Sequence, residues 1–438
     1  MDYRLIFSTT FLALCSLASN ANVLAVVSKQ AKPDSIAVKS ENGGASMSFW
    51  ATQSGNVIST GFAKNLMNGG FIGHDLLDPI LEAHKGGFGY VGGSVGWEKT
   101  WTAKPFKGSD LALCGSVGSE AIYDVRWTSD MFELLWYGNG GHTGRVDVFS
   151  GTGVRSGVFN RFGFGLENSK TQQRLELSVI QRLGGAEWSI PYGYLWVSEE
   201  GDSLASYLQT EGRLHARIDS TDSGALSMGF LPSYGIGISG RLPLASETLP
   251  IRFEINFKDL GLLFESEGSS VAWFQEGFST TGLPLYGDSL SIESISNGDL
   301  AVDSLLLTGN SAQRMTLLPS RLSAEFIYEP SEKFIFEMSV KSGGWMPDLL
   351  YSAGIGWIPS DKIALGVEGR YGGWGGLRSA VWAKWRYSNR RILVVQIESP
   401  LGLFFNKQIS NNSYGRGVTI RLERIYLGRQ RDSNPRYL

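Results

Sequence analysis

Three short segments decide the fold: Tyr328-Glu329-Pro330-Ser331-Glu332-Lys333, Trp357-Ile358-Pro359-Ser360-Asp361-Lys362 and Tyr387-Ser388-Asn389-Arg390-Arg391. Each segment places an aromatic residue directly before a tight polar turn, and the aromatic residues are 29 and 30 positions apart. Tyrosine and tryptophan have an apolar body and a polar tip, so they suit the boundary between lipid and water. The pattern predicts a membrane-spanning antiparallel barrel with Tyr328, Trp357 and Tyr387 in an aromatic girdle at one interface.

The residues around these turns alternate between apolar and polar side chains. Ile363, Leu365 and Val367 share one face of a predicted strand, and Glu368 and Arg370 share the other. A tilted strand needs roughly 9–11 residues to cross a bilayer, and a spanning sheet must close to pair its backbone groups. In a closed barrel the apolar faces contact lipid and the charged faces line the lumen. The predicted lumen-facing residues are Glu254, Glu337, Glu368, Arg370, Arg378, Lys384 and Arg386.

A soluble sandwich or a lipocalin-like barrel would turn the same apolar faces inward. The chain contains 13 Trp, 16 Tyr and 23 Phe, which would overfill a soluble core, and the girdle aromatics stand at strand ends beside turns. We therefore predict an all-β transmembrane barrel of roughly 12–16 strands. The stretch from Glu265 to Met315 has little pattern and is expected to be a loop or a plug.

Composition excludes several classes of partner. The net charge is -3, so neither nucleic acid nor an anionic surface is indicated for the whole chain. The 56 glycines fit bulges and corners in a curved sheet. The four histidines are scattered and no pair stands at zinc-ligand spacing, so we predict no metal and no cofactor. Outer-membrane lipid is the expected partner, with other envelope proteins as further candidates and a small-molecule solute that the sequence does not identify.

The N-terminus is typical of a secretory signal. A mostly apolar stretch follows Arg4, and Ser19-Asn20-Ala21 offers small residues at the spacing that signal peptidase accepts. We predict cleavage after Ala21; a lipoprotein signal ending at Cys15 is the alternative, with a poorly matching Leu14. The predicted organisation is a signal peptide at 1–21, a flexible lead-in at 22–44, the barrel at 45–426 and a basic tail at 427–438.

Two stretches have helical spacing instead of alternation. Apolar residues recur every three or four positions between Phe62 and Lys85, where Gly69, Gly70 and Pro79 interrupt them. The second stretch, at 129–137, has Ser129 or Asp130 as its cap. These short helices near the N-terminus are expected to cap or plug one end of the barrel.

Several motifs carry a resemblance to a known family. They are the helix ending in Tyr137-Gly138-Asn139, then Ser150-Gly151-Thr152-Gly153 and Phe162-Gly163-Phe164-Gly165, the opening Trp50 to Gly86, and the closing Arg370 to Leu377 with Ser399 to Phe404. This set resembles an uncharacterised family of Bacteroidetes-type outer-membrane barrels. That family is similar in style to the PorP/SprF membrane proteins linked to type IX secretion and gliding, and to fatty-acid-channel barrels. The likeness implies an outer-membrane location. No catalytic or binding residues are established for that family, so the likeness assigns none to this chain. Such barrels end on an aromatic residue, whereas here a basic tail follows Tyr426.

Two motifs suggest catalysis or nucleotide binding at first sight. Gly-Asp-Ser-Leu occurs at Gly201 to Leu204 and at Gly287 to Leu290, but no histidine has an aspartate three residues before it. Gly87 to Gly92 has dinucleotide glycine spacing, but a strand-like alternation follows where a helix is required. We interpret the first motif as turns and the second as barrel glycine.

Three functions remain open after the sequence is read. The first is a non-enzymatic structural or accessory role in the cell envelope, linked to secretion or surface assembly. The alternative is a porin-like channel for a small or hydrophobic solute. A barrel-embedded hydrolase ranks last, because no nucleophile–base pair is visible.

Overall fold

A computed structural model describes residues 44–84, 87–138, 141–220, 226–245, 250–267, 270–281, 309–310, 313–388, 391–400 and 415–425. The signal peptide with its cleavage after Ala21, almost all of the lead-in, the basic tail, Tyr426 and the second Gly-Asp-Ser-Leu motif lie outside these residues.

The described strands form a closed antiparallel barrel of 14 strands. The wall strands are β1 (Gly44–Gly55), β2 (Phe88–Pro105), β3 (Leu111–Thr128), β5 (Gly153–Asn168), β6 (Arg174–Val197), β10 (Ser233–Ala245), β11 (Ile251–Glu265), β15 (Arg321–Ser331), β16 (Phe334–Gly343), β17 (Leu350–Ser360), β18 (Ile363–Gly372), β19 (Gly375–Ser388), β20 (Arg391–Glu398) and β21 (Gly415–Ile425). Each pairs with the next one named, and β21 closes the ring by pairing with β1 from Gly44 to Ser54. The predicted fold class is confirmed, with a strand number inside the expected range.

The remaining strands extend the sheet at one end of the wall or lie beside it. They are β4 (Val146–Val148), β7 (Ser203–Leu214), β8 (Ala216–Ser220), β9 (Leu226–Phe230), β12 (Ser270–Thr281), β13 (Gly309–Asn310) and β14 (Arg314–Leu317). The second half of β6 pairs with β7, and β7 pairs with β12. The expectation of a loop or plug from Glu265 to Met315 is therefore wrong for 270–281, where pairing with β7 makes the segment a strand.

The two ends of the barrel differ in their connections. Two-residue turns join β15 to β16 and β17 to β18 at one end, where Gly44 and Ile425 also lie. The other end carries the helices α1 (Thr60–Met67), α2 (His74–His84) and α3 (Ser129–Tyr137) and the extra strands. None of the described helices is long and apolar enough to cross a membrane.

The wall has an apolar outer face and a polar inner face. On β18, Leu365 and Val367 are 41% and 55% exposed, whereas Glu368 and Arg370, which follow them on the other face of the strand, are 4% and 6% exposed. The same alternation places Phe162 and Phe164 of β5 and Leu175 and Leu177 of β6 outward. A band of large apolar side chains around a closed sheet is unfavourable in water and favourable in hydrocarbon. The chain is therefore a membrane-spanning barrel, and the soluble alternative, with apolar faces inward, is excluded.

The three helices lie at one end of the barrel as expected, but they cover the outer face of the wall there instead of capping or plugging the lumen. Val91 of β2 and Tyr123, Val125 and Trp127 of β3 point outward by strand register, yet all are buried, because α1, α2 and α3 pack over them. Ser59 caps α1 by accepting from the Phe62 amide, and Thr128 caps α3 by accepting from the Met131 amide. We call this set of helices and the wall residues beneath it the helical layer.

Candidate functional site

The lumen is the candidate functional site, and its polar side chains come from the inward faces of wall strands on all sides. Of the seven residues predicted to face it, Glu254, Glu337, Glu368, Arg370, Arg378 and Lys384 are buried and Arg386 is half-buried. The structure brings three of them into one network. Arg370 pairs with Glu368, with Nε and Oε1 3.2 Å apart, and with Glu398, and Arg378 Nε lies 3.9 Å from Glu398. Glu254 lies elsewhere on the wall and accepts from Asn256 Nδ2 at 3.0 Å.

The sequence prediction missed Glu398 and Gln396, which complete this network. Gln396 Nε2 donates to Glu368 Oε2 at 3.3 Å. Both residues stand on the inward face of β20, where Ile392 and Val394 precede them on the same face. Because that face is apolar at one end and polar at the other, simple alternation of polarity does not mark it. Position in register with β19 and β21 identifies it instead.

A second group of ion pairs crosses the lumen. Lys258 Nζ on β11 is 2.8 Å from Glu98 Oε1 on β2, and these strands are five steps apart around the wall. Arg321 Nη2 on β15 is 2.6 Å from Glu120 Oε1 on β3, again across five steps. In a ring of 14 strands, five steps join nearly opposite sides. These pairs bridge the interior and draw the two sides together.

Other side chains share partners with these two cross-lumen ion pairs. Arg161 Nη1 lies 2.7 Å from Glu98 Oε1, and its Nε lies 3.0 Å from Asp259 Oδ1. Trp50 Nε1 donates to Glu120 Oε1 at 3.1 Å and to Ser94 Oγ at 3.0 Å. Shared partners of this kind hold each charge in place, because the loss of one member leaves the others buried and uncompensated.

A cavity of about 370 Å³ lies beside the cross-lumen ion pairs. Among the described residues, its lining contains eight basic and five acidic side chains, together with serines, threonines and the indoles of Trp50 and Trp374. Glu98, Arg161, Glu368, Arg370 and Glu398 belong to this lining, so the two charge networks border the same space. Such a surface favours polar or charged molecules over apolar ones.

Toward the long-connection end, an apolar cluster fills the lumen. Two short connections fold inward: one carries Trp345 and Met346, and the other carries Trp374. They pack against inward residues of distant strands, which are Ile122, Phe159, Ile180 and Leu263, with Leu318 from a third connection. We call this cluster the apolar closure.

A partly exposed ion pair fastens the apolar closure to the opposite wall. Asp124 on β3 accepts from Trp374 Nε1 at 3.0 Å and pairs with Arg155 Nε at 3.1 Å. Arg155 also donates from Nη2 to the Trp345 carbonyl at 3.1 Å. Gly92 provides the space for the Trp374 indole, since a Cβ there would lie 2.3 Å from Nε1. Both connections contain residues in the left-handed region, with φ of 72° at Gly373 and 68° at Trp345.

The three predicted girdle residues stand at the short-turn end of the wall. Tyr328, Trp357 and Tyr387 are 38%, 49% and 43% exposed and point outward. Each lies within the last four residues of its strand, on β15, β17 and β19 respectively. Their placement on the outer face beside the turns is the geometry that an interfacial role requires.

The first Gly-Asp-Ser-Leu motif forms a turn between β6 and β7. Asp202 Oδ1 accepts from Ser198 Oγ at 2.8 Å and from Ser203 Oγ at 3.0 Å. Its serine therefore bonds to a carboxylate and not to a histidine, and the turn interpretation accounts for the motif. Gly89 to Gly92 lie within β2, which leaves no helix start for a dinucleotide.

No protein-family model and no curated protein sequence matches this chain. Several solved structures are loosely similar. The deltaS2S3 mutant of TodX, a monoaromatic hydrocarbon channel, has a TM-score of 0.39 at 10% identity, covering 93% of this chain and 97% of that one. TbuX, a toluene transporter from Ralstonia pickettii, has a TM-score of 0.37 at 11% identity over 90% and 91%. The translocator domain of the autotransporter NalP from Neisseria meningitidis has a TM-score of 0.31 at 10% identity over 95% and 98%. The class of this protein, a membrane-spanning β-barrel, rests on its own closed wall and outward apolar belt.

Proposed function

We propose that the protein is an outer-membrane channel for a small polar solute, held closed in the conformation described above. The observation that carries the proposal is the charged cavity of about 370 Å³ inside a closed barrel. The cross-lumen ion pairs border this cavity on one side, and the apolar closure lies toward the long-connection end. A barrel that only filled the membrane would need no such space lined by opposed charges.

The orientation follows from the connections. In outer-membrane barrels the short turns face the periplasm and the long connections face outward. The helical layer and the apolar closure would then lie on the extracellular side, and Tyr328, Trp357 and Tyr387 on the periplasmic side. Solute would enter through the apolar closure and meet the charged cavity next.

The charges of the lining select the kind of solute. A channel for hydrophobic molecules needs an apolar path. An apolar solute beside a charged side chain displaces the water and polar groups that compensate the charge, and this is unfavourable. Here the space is bordered by Arg161, Arg370 and their acidic partners. We therefore favour a polar solute over the hydrophobic one that the sequence also left open.

Planar-bilayer recording tests the channel. Trp374→Ala removes the indole that joins the apolar closure to Asp124, and Arg321→Ala removes one cross-lumen pair. We expect low conductance for the unmodified barrel and higher conductance for each variant, highest when both changes are combined. Lys170→Ala, at an exposed turn outside the lumen where Lys170 pairs with Asp110, is the matched control and is expected to conduct like the parent.

Folding is checked by the mobility of unheated and boiled protein on a gel. A folded double variant with conductance and liposome solute flux no higher than the parent would contradict the channel. It would favour the second candidate, a structural or accessory barrel of the cell envelope. That candidate is supported by the cross-lumen pairs, which brace opposite sides of the wall. Crosslinked recovery of the same envelope proteins in repeated trials would be its positive result.

A further inference from the structure

A cluster of three side chains lies where the wall divides at the long-connection end. Strand β6 pairs with β10 up to Arg182 and with β7 from Ala186 onward, so it changes partner between these two residues. Glu187 follows on β6, His215 follows the end of β7, and Glu265 is the last residue of β11. We call Glu187, His215 and Glu265 the rim cluster. Each side chain offers one ligating atom, and these three atoms all lie within 4.8 Å of one another.

The imidazole of the rim cluster is buried without a hydrogen-bond partner. His215 is 1% exposed, and neither Nδ1 nor Nε2 lies within hydrogen-bond distance of a partner, although Nε2 makes a longer contact with Glu187. The nearest carboxylate oxygen, Glu187 Oε1, is 3.6 Å from Nε2. A buried polar group left unsatisfied is destabilising, so such a group in a native fold calls for a partner such as a water molecule or an ion. The backbone holds this ring in place, since the His215 amide donates to the Gly185 carbonyl at 2.8 Å.

The two carboxylates are oriented by basic neighbours. Arg213 Nη1 lies 2.7 Å from Glu265 Oε2, and Arg182 donates to Glu187 Oε1 at 3.3 Å. Thr316 Oγ1 donates to Glu265 Oε1 at 3.2 Å. Partners of this kind fix the direction of ligating carboxylates in metal sites. The guanidinium groups also repel a cation, so they weaken binding relative to two bare carboxylates.

We propose that the rim cluster binds a divalent transition-metal ion of the Zn²⁺ class. One imidazole nitrogen and two carboxylate oxygens are a donor set that Zn²⁺ accepts, whereas Ca²⁺ and Mg²⁺ take oxygen ligands. The ligands must close in, because Zn²⁺ binds nitrogen and oxygen at about 2.0–2.2 Å. Glu187, with a 39% exposed side chain, has the freedom to do so and opens the site to solvent. The ion would tie β6, β7 and β11 together where the extra sheet leaves the wall.

Equilibrium dialysis and calorimetry with ZnCl₂ test the site on the whole barrel, folded in detergent, stripped with chelator and carrying no polyhistidine tag. One Zn²⁺ per chain is expected for the unmodified protein. His215→Gln and Glu187→Gln are each expected to weaken binding about 10–100-fold or more. The matched control is His74→Gln, because His74 is exposed on α2 and lies 3.4 Å from Asp78. It is expected to bind like the parent.

X-ray absorption at the zinc edge then identifies the donors, with one imidazole nitrogen in the first shell expected and lost in His215→Gln. Gel mobility of unheated samples shows that each variant is folded. Because Glu187→Gln alters a partly exposed residue, it remains informative if His215→Gln fails to fold. Binding that is unchanged in either folded variant, or no stoichiometric binding by the parent, would overturn the proposal without affecting the channel.

Discussion

Two arcs of the wall differ in the length of their strands and in what surrounds their outward apolar side chains. From β15 to β20 the strands are 8–14 residues long, and four of the five connections between them have only two residues. From β2 to β6 the wall strands have 16–24 residues. A tilted strand needs only roughly 9–11 residues to span the bilayer. The first arc therefore ends near the membrane surface, while the second continues beyond it.

The outward side chains of the two arcs differ in their exposure. Val367 on β18 is 55% exposed and meets lipid, whereas Val125 on β3 is 5% exposed beneath the helical layer. Both are outward valines on strands of one barrel. Where the wall leaves the hydrocarbon, its apolar outer face must be covered by protein, and the helices of the first long connections supply that cover.

The largest effect is expected from a change in the helical layer. Phe62 is 2% exposed and makes an edge-to-face contact with Trp136 at 5.4 Å between ring centroids. Phe62→Ala removes this packing and leaves a cavity, at a cost of about 3–5 kcal/mol. Hydrogen exchange and limited proteolysis should show the helical layer opening while heat-modifiable mobility of the barrel persists.

Phe71 supplies the matched control, because it is 88% exposed in the connection between α1 and α2. Phe71→Ala should change local stability by no more than about 0.5 kcal/mol. Loss of the whole barrel in Phe62→Ala would show that helical layer and wall are one cooperative unit, and the contrast between the two arcs would fail.

The next effect tests the lipid-facing arc. Val367 is near the middle of β18, and Leu377, which is 75% exposed, is near the long-connection end of β19. Val367→Arg should cost about 2–4 kcal/mol in lipid vesicles, and Leu377→Arg about 0–1 kcal/mol, because the cost of a charge falls toward the interface. Denaturant titration of folding into vesicles measures both. Equal costs would show that the outward face of β18 does not lie in hydrocarbon.

The same contrast explains what the sequence could predict. In the arc from β15 to β19 one face meets lipid and the other carries the lumen charges, so period-two alternation predicts strands, turns and the lumen-facing positions of Glu368 and Arg370. In the longer arc each strand changes surroundings along its length. The buried outward residues Tyr123 and Trp127 therefore look like ordinary girdle aromatics in the sequence.

Contacts between distant segments are also hidden from sequence. The apolar closure joins Trp374 to Asp124, 250 positions apart, and depends on a left-handed turn rather than on a pattern. The rim cluster likewise gathers Glu187 from β6, His215 from the end of β7 and Glu265 from β11. Spacing rules find metal ligands on one element, which is why the sequence predicted no metal.

A smaller effect concerns pH and the helical layer. His84 ends α2; its Nδ1 donates to the Ile80 carbonyl at 2.8 Å, and its Nε2 accepts from Trp127 Nε1 at 2.8 Å. Burial lowers the pKa of His84 below its ordinary value of 6.5. Below about pH 6.5 the opened layer gains a proton that the closed layer does not, so the stability of the layer decreases as the pH falls from about 6.5 to the lowered pKa. Above about pH 6.5 the contribution is constant.

Hydrogen exchange of the helical layer between pH 7.5 and about 5 measures this dependence. His84→Gln should flatten the slope, although it also removes bonds and lowers stability at every pH. His74→Gln changes an exposed histidine and should keep the slope of the parent. A parent slope equal to that of His84→Gln would mean that the buried imidazole is not what links the layer to pH.

The smallest effect is expected at the opposite end of the lipid-facing arc, at the girdle. Trp357→Leu keeps an apolar side chain on the outer face but removes the indole N–H that reaches toward water and headgroups. The outer face of β17 already matches lipid through residues such as Ile355, so only this polar tip is lost, at a cost of about 0.5 kcal/mol.

The cost should appear in vesicles, where there is an ordered interface, and vanish in small detergent micelles. Ile355→Leu, one pair of residues further from the turn, should be neutral in both. A Trp357→Leu cost that is the same in vesicles and micelles would assign the indole to packing within the wall, and the girdle that first indicated a barrel would then be a consequence of strand pairing and not of the membrane boundary.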